Sequence, residues 1–423
     1  MLFSTRIVAI ALTFLIALFL LWKPTKLRQL SPLQYLKLSG KGSREILNGT
    51  LGFQEVLVLN LPERTDRRDA MTLAAALSEI DVTWVDGVAG KDVADKVMPD
   101  DSFDKGIARG NKGSWRAHMN ALQMVVRKNM TSALILEDDA DWDVRLKYQL
   151  QVFAQAARAF TQPTDSRSRM TTADQWRPQV LSDISSAEMA LAEMPPNLQP
   201  TLTPYGDDWD VLWLGHCGTE FPKKSAMAKV DDAKKETHDH DGDKPYQTSL
   251  LRITIPNDPT VPTPENLKPH PFALKDALSE EYPPHTRIVH ASSATTCTQA
   301  YAVSQQGARK LLWQFGLQTL TNGWDFMLKD WCDGAYIKFD EGANGDKDTS
   351  TKLVKSPVCV TVQPPLFSHH YGKGAASDIT APGGGFVNKD KEMSPYLRLS
   401  VRLNMGRLVK GARLEDLVDQ FDD

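Results

Sequence analysis

Short apolar segments alternate with helical segments from residue 56 onward, and this order constrains the fold more than any other feature of the sequence. Apolar runs at 56–60, 82–85 and 133–136 predict strands, and the spacing of apolar residues predicts helices over 64–79 and 115–128. The βαβαβ order predicts a Rossmann-like α/β fold, with a mostly parallel sheet flanked by helices. Ligands of such sheets bind beyond the carboxyl ends of the strands.

The rest of the chain continues this pattern with two interruptions. Further strands are predicted at 211–214, 300–303 and 359–362, and further helices at 144–160, 304–315 (with Ser304 as N-cap) and 324–331. Two polar, proline-containing segments, about 161–208 and 221–286, are expected to be long insertions. We therefore predict one catalytic domain over 53–371, followed by a C-terminal extension, 372–423, with a peripheral amphipathic helix.

Charge and composition exclude several classes of protein. The chain has 49 Lys and Arg against 53 Asp and Glu, so its formal net charge of -4 argues against a nucleic-acid-binding protein. Hydrophobic residues make up 41% of the 423 residues, which is enough for a folded core and argues against general disorder. A large enzyme domain with insertions fits both values.

The N-terminal region predicts a membrane anchor. Residues 1–6 form a short tail before an uncharged apolar run at 7–22, which is long enough for a thin membrane of the early secretory pathway. A tryptophan, a lysine and a proline follow this run where a cleavable signal peptide has small residues, so we expect an uncleaved signal-anchor. Residues 23–52 have the mixed, Gly- and Pro-containing composition of a stem.

Two sequence signals disagree about the orientation of this anchor. Basic side chains at 23, 26 and 28 outnumber Arg6 and the α-amino group, and this count alone would leave the bulk of the chain in the cytosol. Glycosylation sequons at Asn48 and Asn129 instead favour a location of most of the chain in the lumen. We expect a single-pass type II protein of the Golgi or endoplasmic reticulum membrane, with a lumenal catalytic domain.

The four cysteines fit two different states. In an oxidising lumen they form two disulfides, with three possible pairings, whereas four buried free thiols would explain them equally well. Their spacing is not that of a metal site. The acidic and histidine-containing run at 238–241 is best explained as a solvated loop, and the glycines at 383–385 lack the lysine and helix of a phosphate-binding loop.

The strongest chemical signal is the acidic triplet Glu137-Asp138-Asp139, directly after an apolar strand. Three adjacent carboxylates repel one another and are costly to desolvate unless a cation or ordered donors compensate them. Oxygen ligands suit Mg²⁺ or Mn²⁺ holding a diphosphate leaving group. The alternative is that the acidic residues, with Asp141 and Asp143, only favour the start of the following helix.

Four other positions carry side chains suited to a donor site. Arginines in the segment 60–68 follow the first strand and can pair with phosphate or with the acidic triplet, although a solvated helix start also explains them. His118, taken alone, fits a hydrogen-bonded structural histidine. Asp325 lies beside Trp324 at a helix start, which suits a base facing a sugar or a helix-start charge. His369 or His370 follows the last strand, where one imidazole can reach a metal.

Five blocks, in order, resemble glycosyltransferase family 25, the family of lipopolysaccharide-type glycosyltransferases and collagen galactosyltransferases. The blocks are 58–68 (VLNLPERTDRR), 113–118 (GSWRAH), 134–139 (LILEDD), 209–215 (WDVLWLG) and 301–312 (YAVSQQGARKLL). The resemblance extends over about 55–371, interrupted by both insertions. Ser114 and Ala117 depart from the family pattern, where many members have Cys and Ser.

The resemblance implies a GT-A-type fold and an inverting, Mn²⁺-assisted transfer of a hexose, usually galactose, from a UDP-sugar to a glycan or glycoprotein. It implies that Asp139 contacts the metal, and we predict Asp138 and His370 as further ligands. The donor would contact the residues Asn60, Arg64, Arg67, His118, Glu137 and Asp138. Asp325 is the predicted general base, because inversion needs a group that takes the acceptor proton opposite the diphosphate.

Two other functions are compatible with parts of the sequence. A catalytically silent relative that binds carbohydrate or partner enzymes as a scaffold would keep the fold and lose the activity. A metal-dependent nucleotidyl or phosphoryl transferase would share the carboxylates and the α/β sheet, but it leaves the block at 301–312 unexplained. The intact acidic triplet favours the active glycosyltransferase.

Overall fold

A computed structural model describes residues 44–99, 106–176, 187–223, 249–270, 274–336, 357–372 and 392–421. The predicted anchor at 7–22, the acidic and histidine-containing run at 238–241 and the glycines at 383–385 lie outside these residues. Among the described residues, no helix combines the length and apolar character needed to cross a membrane.

Within the described ranges, eleven strands form one sheet. The strands are β1 (Glu55–Asn60), β2 (Thr83–Asp86), β3 (Ser132–Glu137), β4 (Ala140–Trp142), β5 (Ala187–Ala190), β6 (Val211–Gly215), β7 (Leu251–Ile255), β8 (Arg287–Ala291), β9 (Ala300–Ser304), β10 (Cys359–Gln363) and β11 (Phe367–His369). The α-helices are α1 (Thr65–Leu77), α2 (Arg109–Arg127), α3 (Leu146–Thr161), α4 (Leu278–Glu281), α5 (Gln305–Trp313), α6 (Trp324–Cys332) and α7 (Val401–Leu408).

The sheet is mixed, so the expectation of a mostly parallel sheet is wrong. Its order is β2-β1-β3-β9-β6-β10-β8-β7-β5, and β11 pairs with β4 and β6. Parallel pairs are β1·β2, β1·β3, β6·β10, β6·β11 and β5·β7. Antiparallel pairs are β3·β9, β6·β9, β8·β10, β7·β8 and β4·β11. A strand buried on both faces has the same apolar pattern in either direction, so the sequence could not reveal this mixture.

The predicted βαβαβ unit is confirmed and divides the core into two layers. Successive residues of β1 face opposite sides of the sheet: Val56 and Val58 join the core beneath α1 and α3, and Leu57 and Leu59 join the core beneath α2, α5 and α6. Ser304 caps α5 as predicted, because its hydroxyl accepts the N–H of Gly307. The mixed α/β architecture with helices on both faces of the sheet is therefore established.

Both segments expected to be insertions contribute strands to the sheet. Residues 187–190 form β5 and residues 251–255 form β7, and these two strands pair in parallel at one edge. Leu251 and Ile253 are fully buried, so this edge belongs to the main core. Charged and proline-rich residues surround these short strands in the sequence and conceal their apolar pattern.

The segments next to the predicted catalytic domain also pack onto it. Ile46 and Leu51, assigned to the stem, are buried against the core that contains Phe53. Asn48 of the first sequon is exposed, and its side chain accepts the N–H of Thr50. In the C-terminal extension, α7 packs against α1, with Val401 in the same core.

All four cysteines form disulfides, which resolves the two alternatives. Cys217 pairs with Cys297, and Cys332 pairs with Cys359. The first disulfide joins the residue two positions after β6 to the segment before β9. The second joins the C-terminal end of α6 to the start of β10.

Candidate active site

A cleft of about 400 Å³ opens at the carboxyl ends of β1, β2 and β3. It is lined by Leu59, Asn60, Leu61, Arg67, Gly87, Val88, Ala89, Gly90, Lys91, Arg109, Gly110, Gly113, Ser114, Ala117, His118, Glu137, Asp138 and Asp139. The three strands are parallel, so their carboxyl ends lie at one edge of the sheet, where ligands of α/β folds bind. The structure therefore brings the acidic triplet and the first-strand motif to one cavity.

The acidic triplet spans the tight connection between β3 and β4, here called the acidic turn (Glu137, Asp138 and Asp139). The alternative that these residues only favour a helix start does not fit, because their side chains line the cleft. The helix-start explanation does apply to Asp143, whose carboxylate accepts the N–H of Arg145 just before α3 begins. The acidic turn and the helix start are thus separate structures.

Arg67 and Asn60 neutralise and orient the two aspartates. Arg67, in the first turn of α1, donates from Nη1 to Asp138 Oδ1 at 2.7 Å and to Asp139 Oδ2 at 2.8 Å. Asn60, the last residue of β1, donates from Nδ2 to Asp138 Oδ2 at 2.8 Å. Burial raises the pKa of Asp138 despite these donors. Burial alone would also raise the pKa of Asp139, but the charges of His369, Arg67 and Arg402 lower it.

Two buried oxygen atoms at this site are left without a partner. Asp139 Oδ1 and Asn60 Oδ1 accept no hydrogen bond from the described residues. A buried polar atom without a partner is unfavourable unless a ligand satisfies it. Asp139 Oδ1 is a carboxylate oxygen in a lined cavity, so it suits a cation. The described residues contain no ready-made cluster of three His, Cys, Asp or Glu side chains for a metal ion.

Glu137 lies in a different environment from the two aspartates. Its Oε1 accepts the hydroxyl of Thr298 at 2.7 Å and lies 3.9 Å from Nε2 of His118. Burial, and then the negative charge of Asp139, raise the pKa of Glu137 to about 8. This carboxyl group is therefore protonated at neutral pH, although it borders Asp139, whose pKa is lowered.

His118 lines the cleft as a neutral imidazole held by aromatic neighbours. Its Nδ1 is 2.9 Å from the hydroxyl of Tyr301, and its ring stacks on Trp324 with the centroids 5.0 Å apart. Burial lowers the pKa of His118 to about 3. Both predicted roles are compatible with this position: the side chain is structurally anchored, and it faces the cavity.

Asp325, the predicted base, lies in the first turn of α6. Its Oδ2 accepts the N–H of Cys297 at 3.1 Å, and its negative charge contributes to raising the pKa of Glu137. The consecutive residues Cys297 and Thr298 therefore bind the carboxylates of Asp325 and Glu137, respectively. Asp325 is not among the residues that line the cleft.

The two consecutive histidines at the end of β11, His369 and His370, have different neighbours. His369 Nε2 is 3.4 Å from Asp139 Oδ2, whereas His370 Nδ1 is 3.0 Å from the hydroxyl of Ser394. His370, the histidine predicted to contact a metal, is therefore turned away from Asp139, and only its main-chain N–H reaches the Asp139 carbonyl. The difference arises because consecutive residues at the end of a strand point to opposite faces.

Arg64 is the other predicted donor residue that the structure does not bring into the cleft. Its guanidinium group forms two hydrogen bonds with Asp66, at 2.9 and 2.8 Å. Hydrogen bonding to Arg64 lowers the pKa of Asp66 to about 2. Lys91 and Arg109 line the cleft instead, and sequence reasoning missed both because neither belongs to a recognised block.

Comparison with known proteins agrees with the sequence motifs. Residues 53–181 match the profile of "Glycosyltransferase family 25 (LPS biosynthesis protein)". Procollagen galactosyltransferase 1-B of Xenopus laevis is 30% identical over 112 residues, which cover 24% of this chain and 18% of that protein. Procollagen galactosyltransferase 2 of Homo sapiens is 28% identical over 111 residues, with the same two coverages.

A third relative differs in its described activity. The protein named "Probable inactive glycosyltransferase 25 family member 3" of Bos taurus is 26% identical over 126 residues, which cover 27% of this chain and 21% of that protein. The chain thus matches roughly a fifth of the length of these curated relatives. The stretch that matches the family profile, residues 53–181, contains β1, β3 and the acidic turn, in agreement with the motifs.

Proposed function

We propose that the chain is an inverting glycosyltransferase that moves a hexose from a UDP-sugar to a glycan or glycoprotein acceptor, using a GT-A-type donor site. The observation that carries this proposal is the cleft itself, in which Arg67 and Asn60 hold the acidic turn at the shared end of β1 and β3. Galactose is the proposed hexose, because two of the similar proteins are named as galactosyltransferases.

The charges in the cleft support a nucleoside diphosphate as the ligand. Lys91, Arg109 and Arg67 line the same cavity as the acidic turn, so both signs of charge are present. Cationic side chains pair with phosphate oxygens, while carboxylates repel them unless a divalent cation lies between. This combination suits a diphosphate bound together with a metal ion.

Mn²⁺ or Mg²⁺ is the proposed cofactor, and Asp139 is its proposed principal ligand. Asp139 Oδ1 is buried and has no hydrogen-bond partner in the described part of the chain, and Asp138 and the imidazole of His369 are adjacent to Asp139. Carboxylate oxygens suit these ions, and an imidazole nitrogen is acceptable to Mn²⁺. When bound, the ion would offset the charge on the departing diphosphate.

Asp325 is the proposed general base. The acceptor hydroxyl oxygen attacks the anomeric carbon, the bond from that carbon to the diphosphate breaks, and the hydroxyl proton passes to the Asp325 carboxylate. The Cys297 N–H holds one oxygen of this carboxylate and leaves the other for the acceptor. Arg67 and the other cleft cations stabilise the charge that develops on the diphosphate.

The proposed location is the lumen of the Golgi or endoplasmic reticulum, with residues 7–22 as a single-pass signal-anchor. The two disulfides support an oxidising compartment, because cytosolic proteins rarely keep such bonds.

The second candidate is an inactive scaffold that binds carbohydrate or a partner enzyme. Arg67 favours it, because this guanidinium already bridges both aspartates, as in a purely structural ion pair. The relative named as inactive also shows that similarity over this stretch does not guarantee activity.

Donor hydrolysis and transfer by the purified full chain test the proposal. A panel of UDP- and GDP-sugars is incubated with Mn²⁺, with and without chelator, for wild type, Asp139→Asn and the control Asp69→Asn on the exposed face of α1. We expect one donor to be hydrolysed, and both chelator and Asp139→Asn to abolish hydrolysis. No turnover together with no UDP binding in calorimetry would favour the scaffold.

A further inference from the structure

We propose that Arg402, on α7 in the C-terminal extension, is a positioning residue of the donor site that fixes the main chain of the acidic turn. This inference rests on the proposed function and extends it to residues outside the family match at 53–181. The ligand whose binding depends on this contact is a nucleoside diphosphate with a divalent cation.

The guanidinium group of Arg402 binds the acidic turn through its main chain. Nη2 donates to the carbonyl oxygen of Asp138 at 2.7 Å, and Nε donates to the carbonyl oxygen of Ala140 at 3.0 Å. A planar guanidinium fork that binds two carbonyls restrains their separation and orientation. These carbonyls lie on either side of Asp139, so Arg402 fixes the direction in which the Asp139 side chain leaves the turn.

Asp141 provides a second connection between the acidic turn and the same segment. This fully buried carboxylate accepts the hydroxyls of Ser394 (2.6 Å) and Ser400, and it also accepts the main-chain N–H of Arg402 at 3.1 Å. Ser400 in turn accepts the N–H of Leu403 and caps α7. A buried carboxylate depends strongly on such donors, so the segment is held firmly beneath the turn.

Arg402 and Arg67 act on the turn in different ways. Arg67 contacts the carboxylates of Asp138 and Asp139 directly, whereas Arg402 contacts carbonyl oxygens and acts through the backbone. Lysine at position 402 would keep the charge and lose the fork. The exchange Arg402→Lys therefore separates positioning from simple charge compensation.

The test compares Arg402→Lys and Arg402→Ala with Arg398→Lys and Arg398→Ala in the full chain. Arg398 lies in the same segment and forms an ion pair with Asp419 at 2.7 Å, so it controls for general loosening of the segment. Three quantities are measured: amide hydrogen exchange at 137–143, the Kd of UDP in Mn²⁺ by calorimetry, and the Tm.

We expect Arg402→Lys to speed exchange at 137–143 and to raise the Kd about tenfold or more, as with other residues that orient metal ligands. Its loss of Tm should not exceed that of Arg398→Lys, and the Arg398 variants should keep the wild-type Kd. If Arg402→Ala does not fold, Arg402→Lys decides the question alone.

Two outcomes would overturn the inference. In the first, wild type binds UDP and both Arg402 variants bind it equally well with unchanged exchange. In the second, the Arg398 variants weaken binding as much as the Arg402 variants, which would make the segment merely structural. A wild-type chain that binds no UDP in Mn²⁺ would instead overturn the proposed function, and the donor-site role of Arg402 with it.

Discussion

The two halves of the acidic turn show how neighbouring carboxyl groups can be held in opposite protonation states. Asp138 and Asp139 share Arg67, with Asn60 on one side and His369 on the other. Glu137 has no cationic side chain among its described contacts, and its nearest ring, His118, is neutral. The charges of His369 and Arg67 therefore lower the pKa of Asp139, while burial raises the pKa of Glu137.

This difference assigns separate chemistry to the two halves. The ionised half suits binding of a cation and a diphosphate, and the protonated half, next to Asp325, suits contact with a sugar hydroxyl. Five substitutions test this division.

Asp325→Asn should have the largest effect. It removes the proposed base on the Glu137 side, so turnover should fall by at least about a hundredfold while the Kd of UDP in Mn²⁺ stays near its wild-type value. Single-turnover kinetics and calorimetry measure the two quantities. Asp330→Asn, on the same helix and partly exposed, is the matched control. Wild-type turnover by the Asp325 variant would refute the base assignment.

Arg67→Ala should lower the free energy of unfolding by about 3 kcal/mol, because it leaves the two largely buried carboxylates of Asp138 and Asp139 without the cation that binds both. Thermal unfolding measures this loss, and Arg68→Ala, which removes a more exposed arginine of the same helix, is the control. Millimolar Mn²⁺ should raise the Tm of Arg67→Ala more than that of wild type. An equal or smaller rise would mean that the aspartates do not bind the ion.

Glu137→Gln should remove the loss of stability that wild type shows as pH rises from 4.5 through about 8. Below pH 4.5, Glu137 is protonated in both the folded and the unfolded chain, so its contribution is fully present. Stability is lost as pH rises from 4.5 through about 8, because only the unfolded chain ionises this group. The variant should therefore be more stable than wild type at pH 9 and similar to it at pH 4.

Asp139→Asn should change the pH dependence of stability in the direction opposite to that of Glu137→Gln. The pKa of Asp139 is lowered, so its stabilising contribution is present above its unfolded value of 3.8 and is lost as pH falls through the folded value. Unfolding in urea at a series of pH values measures both variants. The same sign for both would show that the two halves do not differ.

Thr298→Val should have the smallest effect, about 1 kcal/mol, because it removes one hydrogen bond to Glu137. The hydroxyl stabilises the ionised carboxylate, so its loss should raise the pKa of Glu137 further and matter most above pH 8. Thr298→Ser keeps the hydroxyl and should behave like wild type. Equal losses of Tm at pH 6 and pH 9 would show that the Thr298 hydroxyl does not affect the ionisation of Glu137.

Local features of the site could be predicted from the sequence, and competing contacts could not. The run that ends at Glu137 marks a buried strand with carboxylates at its end, and this prediction is confirmed. Arg64 and Arg67 belong to one motif, but Asp66 binds the guanidinium group of Arg64, whereas Arg67 reaches the acidic turn. No periodicity indicates which of two arginines a nearby carboxylate will bind.

Long-range arrangement was also beyond the sequence pattern. The apolar run of β9 is the same for either direction, and its antiparallel pairing with β3 and β6 depends on how the chain returns to the sheet. β5 and β7 form an edge although each lies in a polar region. Arg402 is 264 residues from its partner Asp138, so no local motif connects them.

The long sequence separation of Arg402 and Asp138 has a consequence for folding during synthesis. The strands β1 and β3 leave the ribosome early, and N-terminal units generally fold first during synthesis. The acidic turn therefore forms with Arg67 already present, but Arg402 lies 264 residues after Asp138 and binds the turn only after α7 has been made. A nascent chain thus has the βαβαβ core long before the main chain of the acidic turn is fixed, so the proposed donor site would be completed only after α7 has been made.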